Sequence, residues 1–237
     1  MKTCIVDERI SEKCERGLEK AGFKVITLPP SPDLSDAVKS HTDMLIFCHN
    51  GNIISSADYC EQFPYVFSDI REFSQKTSFT FTADKHKSQY PYDAIFNALV
   101  IGNMIFLKKD TVSKGILDYA LKAGLEIVDT KQGYPACTVL AFENRAITAD
   151  KGMAKLLREK NIEVTEITNG KIALPPYEYG FIGGAAGVYN KCVYFLGDIK
   201  THPDSDIIIS AVESANYTPV SLSDEPLFDL GKIIFVD

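Results

Sequence analysis

The phrase Cys4-Ile5-Val6-Asp7, a short apolar run ending in an acid, leads directly into a segment with helical spacing. It returns as Ile53-Ile54-Ser55-Ser56 with Asp58, and as Ile105-Phe106-Leu107 with Asp110. It returns again as Ala146-Ile147-Thr148-Ala149-Asp150, and as Val193-Tyr194-Phe195-Leu196 with Asp198. The starts are 4, 53, 105, 146 and 193, so the intervals are 49, 52, 41 and 47, with 48 from the last start through the C-terminus back to residue 4. Recurrence at a near-constant period marks a repeat architecture. The acid has a local reason, since Asp accepts bonds from the unsatisfied N–H groups at a helix start.

Outward from this phrase, each unit continues in the same way. Residues 111–123 carry Val112, Ile116, Leu117, Ala120 and Leu121 on one face; residues 151–160 and 206–215 repeat the pattern. Gly22, Gly124, Asn161 and Asn216 stand where left-handed helix stops belong. A strand is expected after each helix, at Lys24–Leu28, Phe79–Phe81, Glu126–Val128, Glu163–Ile167 and Val220–Leu222. A further strand precedes the recurring phrase in four units, at Met44–Cys48, Ala98–Ile101, Val139–Phe142 and Gly187–Tyr189. Asn- and Gly-rich turns join it to the phrase. The first unit lacks this partner at the N-terminus, and Lys232–Val236 supplies it from the other end of the chain. The expectation is one α/β domain over residues 1–237, five β-β-α-β units in a ring. Pairing of the N- and C-terminal strands closes it, so that no sheet edge is left free.

Composition narrows function by exclusion. The net charge of −7 disfavours a nucleic-acid surface, which needs a basic face. No stretch approaches 18 consecutive apolar residues, and the N-terminus reaches Asp7 before an apolar run develops, so neither a membrane span nor an export signal is expected. A cytoplasmic location follows as the expectation. The six cysteines show no CxxC and no zinc-like spacing, and read as reduced thiols. The four histidines and scattered acids show no ligand spacing, so no metal and no cofactor are expected. Gly180-Phe181-Ile182-Gly183-Gly184-Ala185-Ala186-Gly187 lacks the GxGxxG order and precedes a strand, so it reads as close backbone packing near the axis and not as a phosphate cradle. His202, followed by Pro203 at a helix start, reads as structural.

A fivefold β-β-α-β ring closed by its own termini resembles the pentein fold, an α/β propeller. Its members include guanidino-modifying enzymes (arginine deiminase, dimethylarginine hydrolase, amidinotransferases) and a non-catalytic ribosome anti-association factor. The strings Lys131-Gln132-Gly133-Tyr134 with Cys137, Tyr90-Pro91-Tyr92-Asp93 with Asn97, and Gly180-Phe181-Ile182-Gly183-Gly184 are similar to those of an uncharacterised bacterial family of this fold.

In such a ring, the loop that leads from each unit's last strand to the next unit's first strand reaches toward the axis, and five loops converge on one mouth. Loops on a rigid scaffold are where sites are built. These carry His41 and Asp43; Tyr92, Asp93 and Asn97; Lys131, Gln132, Tyr134 and Cys137; Tyr177 and Tyr179; and Asp224, Glu225 and Asp229. The resemblance implies a small-molecule ligand in this mouth and a cysteine nucleophile at a strand start, the place Cys137 takes. A thiolate attacks a guanidinium carbon, and Lys131 nearby would favour it. His41 is the candidate acid/base. Asp43 and Asp93 are candidate anchors for a guanidinium through paired charge-assisted bonds, with Asn97, Lys131 and Gln132 completing the binding set. The acid-x-His order of the enzymes is reversed here, as His41-Thr42-Asp43. A hydrolase or amidinotransferase on a small guanidine is one reading, and a non-catalytic binding module using the same mouth is the other.

Overall fold

The computed structural model describes residues 2–237 and contains five three-stranded sheets of one design. The first comprises β1 (Lys2–Asp7) and β2 (Phe23–Leu28), parallel across helix α1 (Glu12–Lys20). The second comprises β3 (Ile46–His49), β4 (Asn52–Ser56) and β5 (Ser78–Thr82), with a four-residue helix α2 (Thr42–Leu45) before β3 and helices α3 (Ala57–Gln62) and α4 (Pro64–Phe73) in the crossover. The third has β6 (Leu99–Ile101), β7 (Met104–Leu107), helix α5 (Lys114–Lys122) and β8 (Glu126–Asp129). In the fourth, a short helix α6 (Pro135–Thr138) leads into β9 (Val139–Phe142) and β10 (Arg145–Thr148), and α7 (Lys151–Glu159) returns to β11 (Glu163–Glu166). The fifth has β12 (Ala186–Tyr189), β13 (Cys192–Phe195), α8 (Ser205–Ser214) and β14 (Thr218–Ser221).

The middle strand of every sheet is the recurring phrase. Its outer partner is parallel and reached through a helix; its inner partner is antiparallel and, in the second to fifth sheets, joined to it by a tight turn. The last strand, β15 (Ile234–Val236), is the inner partner of β1, with Thr3 opposite Val236 and Ile5 opposite Ile234. Phe235 packs at this seam against Phe23, Tyr189 and Tyr194. The expected pairing of the terminal strands is therefore present, but the expectation that no edge stays free fails: the five sheets are separate, and each keeps edge strands, because the units join through loops and not through strand-to-strand ladders. The left-handed stops are also where the spacing puts them, with φ of +89° at Gly22, +69° at Gly124, and +59° at both Asn161 and Asn216.

The recurring acid does less than expected. Asp150 caps α7 by accepting from Met153 N, and Asp198 accepts from Lys200 N. In the other three units serine takes the capping role: Ser11, Ser56 and Ser113 accept the first-turn N–H bonds. Asp7 instead holds Arg9, and Asp58 pairs with Lys85. Asp110 lies before Ser113 and does not reach the helix start.

Helices cover the outside of the sheets, and no helix among the described residues is long and apolar enough to cross a membrane. The inner strands, with the loops before them, surround the axis.

Candidate functional site

The axial loops are tied to one another by hydrogen bonds that run round the ring. The Asp43 N–H donates to Gly231 O, and the Lys232 and Leu230 N–H groups donate to Gly184 O. The Gly184 N–H donates to Cys137 O. The Asn97 side chain bridges the next gap, accepting from the Ala136 N–H at 2.8 Å and donating to Cys137 Sγ at 3.5 Å and Met44 Sδ at 3.9 Å. This packing requires glycine. A Cβ on Gly184 would sit 1.9 Å from Asp229 Oδ1, and one on Gly183 would sit 2.4 Å from Ala136 O. The glycine-rich run is thus a close-approach element, as its context in the sequence suggests.

Above this ring opens a cavity of about 550 Å³ to which all five loops contribute. His41, Asp93, Cys137, Tyr177, Tyr179 and Asp229 are among its lining residues, with Tyr90, Gln132, Tyr134 and Glu178. Three of the lining side chains are acidic, and none is lysine or arginine.

Cys137 is placed by α6, whose Pro135 starts the turn and whose last residue hands over directly to β9. Its thiol donates to Asp43 Oδ2 at 2.7 Å. Asp43 is placed by α2, the equivalent short turn before β3. Ligand atoms of His41, Asp43 and Cys137 all lie within 4.8 Å of one another, and all three residues are buried. The fold brings Asp43 and Cys137 together across 94 residues, which no spacing rule on the sequence could detect.

Burial dominates the electrostatics. It pushes the Asp43 carboxyl up to about 7, against the Cys137 hydrogen bond that lowers it. It pushes Asp229 up to about 6, although the Phe181 and Gly231 N–H groups both donate to that carboxylate. The Cys137 thiol is raised well above its ordinary value, first by burial and then by the negative charges of Asp43 and Asp229. His41 is lowered to about 3 by burial and by the Arg9 guanidinium, so its ring is neutral at physiological pH. Its Nε2 lies 4.0 Å from Asp7 Oδ2 and its Nδ1 lies 4.0 Å from Asp229 Oδ1, and neither nitrogen has a well-formed hydrogen bond. Asp93 accepts from Tyr134 OH at 2.7 Å on one oxygen, while burial raises its pKa. The second oxygen of Asp93 and Oδ1 of Asp43 are buried without a partner.

The sequence-derived residues thus separate. Cys137, His41, Asp43 and Asn97 form one contact group, and Asp93 and Gln132 line the cavity above it. Lys131 does not line this cavity; it is exposed in a neighbouring groove with Asp129, Asp150 and Glu159. Lys131 does not figure among the charges that shift the thiol, which are led by Asp43 and Asp229. Asp224 and Glu225 bond to Lys13 and Ser11 at the rim of α1. His202 accepts from the Asp204 N–H at a helix start, a structural role. The expectation of no ligand cluster changes: His41, Asp43 and Cys137 converge through folding, not through sequence spacing. Two residues carry more than the sequence reading assigned them. Asp229, named there only among the mouth residues, faces His41 and the glycine run; Lys232, named only as the start of the closing strand, is a half-buried lysine whose pKa desolvation lowers while Asp43 and Cys137 oppose that shift.

A sequence profile described as a family of unknown function (DUF6873) matches residues 5–234. No curated protein matches the chain by sequence. Among solved structures, the chain is similar to an amidinotransferase of saxitoxin biosynthesis from Microseira wollei at 12% identity. The TM-score is 0.60, with 100% of this chain and 94% of that one covered. It is also similar to DDAH from Pseudomonas aeruginosa complexed with citrulline (13%, TM-score 0.58, 94% and 92% covered) and to agmatine deiminase from C. jejuni (11%, TM-score 0.56, 94% and 87% covered). These likenesses show the fold, the pentein α/β propeller of guanidino-modifying enzymes.

Proposed function

The chain belongs to that family of unknown function, and we propose that it is a cysteine-dependent enzyme acting on a small guanidinium or related C–N substrate. The observation that carries the reading is the Cys137–Asp43 contact at the floor of a cavity lined by acids and aromatic rings with no lysine or arginine. A cation suits this cavity in three ways. It restores the charged forms of Asp43, Asp93 and Asp229 that burial now disfavours. Its N–H groups satisfy the partnerless oxygens of Asp43 and Asp93. Its flat face stacks on tyrosine rings such as Tyr90 and Tyr134, which line the same wall.

The chemistry follows from the contact. Asp43 takes the thiol proton, and Sγ forms a bond to the guanidinium carbon. The C–N bond to one nitrogen then breaks, and Asp43 returns the proton to the departing amine, leaving an S-amidino adduct on Cys137. Water adds to the adduct carbon and gives up its proton to the neutral His41 ring. The C–S bond breaks, Sγ leaves as a thiolate and regains a proton from His41, and the protonated urea so formed gives its hydroxyl proton to solvent as urea is released. An amine in place of water gives amidino transfer. Asp43, with a pKa near the operating pH, suits the proton-transfer role, and His41, neutral at that pH, takes the water proton and hands it on to the leaving thiolate.

The second reading, a non-catalytic binding module, draws support from the same elevation of the Cys137 pKa, which holds the resting thiol protonated. The two separate by labelling rates. A haloacetamidine carries the guanidinium-like charge, and iodoacetamide does not. The enzyme reading expects Cys137 to react with the cationic reagent faster than any of the other five cysteines, with no such preference for the neutral one. It also expects turnover of a guanidine panel that Cys137→Ala abolishes. Equal labelling at all six thiols together with no turnover leaves only the binding module.

A further inference from the structure

We propose that His41, Asp43 and Cys137 form a three-ligand site for a single divalent cation of the Zn2+ class, with a fourth position open to the cavity. The proposal shares residues with the reaction above and does not rest on it. Imidazole, carboxylate and thiolate together are a borderline-to-soft ligand set, which favours Zn2+ or Co2+ over Mg2+ or Ca2+. The donor atoms lie within 4.8 Å of one another, so a movement of roughly 1 Å brings them to the ~3.5 Å separation that tetrahedral zinc bond lengths require.

The side chains are prepared for such an ion in the ways a metal site demands. Both His41 nitrogens and Oδ1 of Asp43 are buried with lone pairs or protons uncommitted. Whichever ring nitrogen takes the metal, the other faces a carboxylate 4.0 Å away, Asp229 on the Nδ1 side or Asp7 on the Nε2 side. That is the carboxylate–histidine–metal arrangement that orients metal-bound imidazoles. Asp229 is itself fixed by the Phe181 and Gly231 N–H groups, and Asp7 by Arg9. His41 and Cys137 line the cavity, which leaves one side of the ion for water or a ligand, the pattern of an open site.

Charge balance argues the same way. Binding displaces the Cys137 proton to solvent, and the thiolate, the Asp43 carboxylate and M2+ together are neutral. Two buried acids whose charged forms burial disfavours, each giving up any proton it holds, are thereby both ionised and both compensated. Because the ion takes the Sγ lone pair, metal binding and covalent chemistry at Cys137 exclude each other.

The test uses the full-length protein freed of metal with a chelator and titrated with Zn2+ and with Co2+. The expected result is one ion per chain, a Co2+ spectrum containing a thiolate-to-metal charge-transfer band, and loss of that band in Cys137→Ser. Asp43→Asn and His41→Ala should weaken Zn2+ by more than the roughly 10–100-fold that loss of an outer-shell partner costs. Cys60→Ser, outside the group, should bind as the parent does. A second readout needs no variant: Zn2+ should block haloacetamidine labelling of wild-type Cys137, and chelator should restore it. Absence of stoichiometric binding, a Co2+ complex without the thiolate band, or labelling indifferent to Zn2+ would overturn the site. Rapid labelling of the metal-free protein alongside any of these results leaves the thiol chemistry standing on its own.

Discussion

Replacing Asp43 with asparagine removes a buried carboxyl while keeping its outline, so the electrostatic account of the site becomes a measurable slope. The unfolded chain ionises this group near 3.8 and the folded chain near 7. Between those values the folded state keeps a proton that the unfolded state has lost, so stability falls as pH rises through the window and the loss is complete above it. At about 1.4 kcal/mol per pH unit the full penalty is on the order of 4 kcal/mol. Over a third of it is present by about pH 5, and roughly 2–3 kcal/mol more develops by about pH 8. The substituted side chain has no proton to lose. Its amide leaves a buried donor beside Cys137, which costs about 1–3 kcal/mol at every pH and shifts the whole curve without tilting it. The upward shift of Asp229 tilts both proteins in the same direction and cancels to first order in the difference. Urea unfolding of both proteins at the two pH values, with equal m-values, reads the slope. The expected result is that Asp43→Asn gains about 2–3 kcal/mol on wild type between about pH 5 and pH 8. Parallel curves within about 0.5 kcal/mol would refute a neutral, desolvated Asp43.

Other consequences follow from single contacts. Gly184→Ala drives a methyl group into Asp229 Oδ1, so it should destabilise by at least the roughly 1–3 kcal/mol of core overpacking and weaken any ligand that His41 and Asp229 hold, measured by denaturation and by binding. Tyr134→Phe removes the donor to Asp93 and should raise that carboxyl's titration midpoint further, with a loss of about 1.5–3 kcal/mol where Asp93 is ionised; an unchanged carboxyl NMR titration would contradict it. Deleting residues 233–237 removes the antiparallel partner of β1 and the buried side chains Ile233, Ile234 and Val236, each worth about 1.5–3 kcal/mol. The sum rivals a whole domain's stability of about 5–15 kcal/mol, so near-ultraviolet circular dichroism should show loss of native packing, and a native-like spectrum would count against closure by the termini.

The ring was legible because its signals are local. A period-2 strand, a helical face, and a glycine or asparagine stop each lie within one unit, and their fivefold recurrence makes each unit confirm the next. The hairpin closed by the two termini followed from counting which unit lacked a partner strand. The site was legible only as a place. That five loops meet was deducible, but which of their side chains touch depends on the turn each loop makes in its last few residues. Lys131 and Cys137 are six positions apart and face different pockets, because Cys137 is carried by the α6 turn that Pro135 starts and Lys131 lies ahead of it. Asp43 and Cys137 are 94 apart and are hydrogen-bonded, because α2 and α6 are equivalent turns of the second and fourth units that meet at the axis. The recurring acids misled for a related reason: in three units a serine holds the N-cap position, Ser11 and Ser113 nearer the helix than the acid and Ser56 just ahead of Asp58, which already lies in the first turn.

The closing strands and the site are one mechanical system. The β1–β15 pairing fixes the segment Leu230-Gly231-Lys232 on the axis, where Gly231 O receives the Asp43 N–H and Thr42 Oγ1, and Leu230 and Lys232 bond to Gly184 O. Gly184 in turn donates to Cys137 O. Both members of the Cys137–Asp43 pair are therefore held by backbone bonds that exist only while the ring is shut. Gly231 reinforces the point: its φ of +71° and the 2.4 Å that a Cβ would leave to His41 Cβ reserve that position for glycine. A buried acid and thiol cost stability wherever they sit. In this fold that cost is met by the cross-axis bonds, so the most strained chemistry sits where five repeats share the load, and loosening the seam at β15 should disorder the site before it disorders the outer helices.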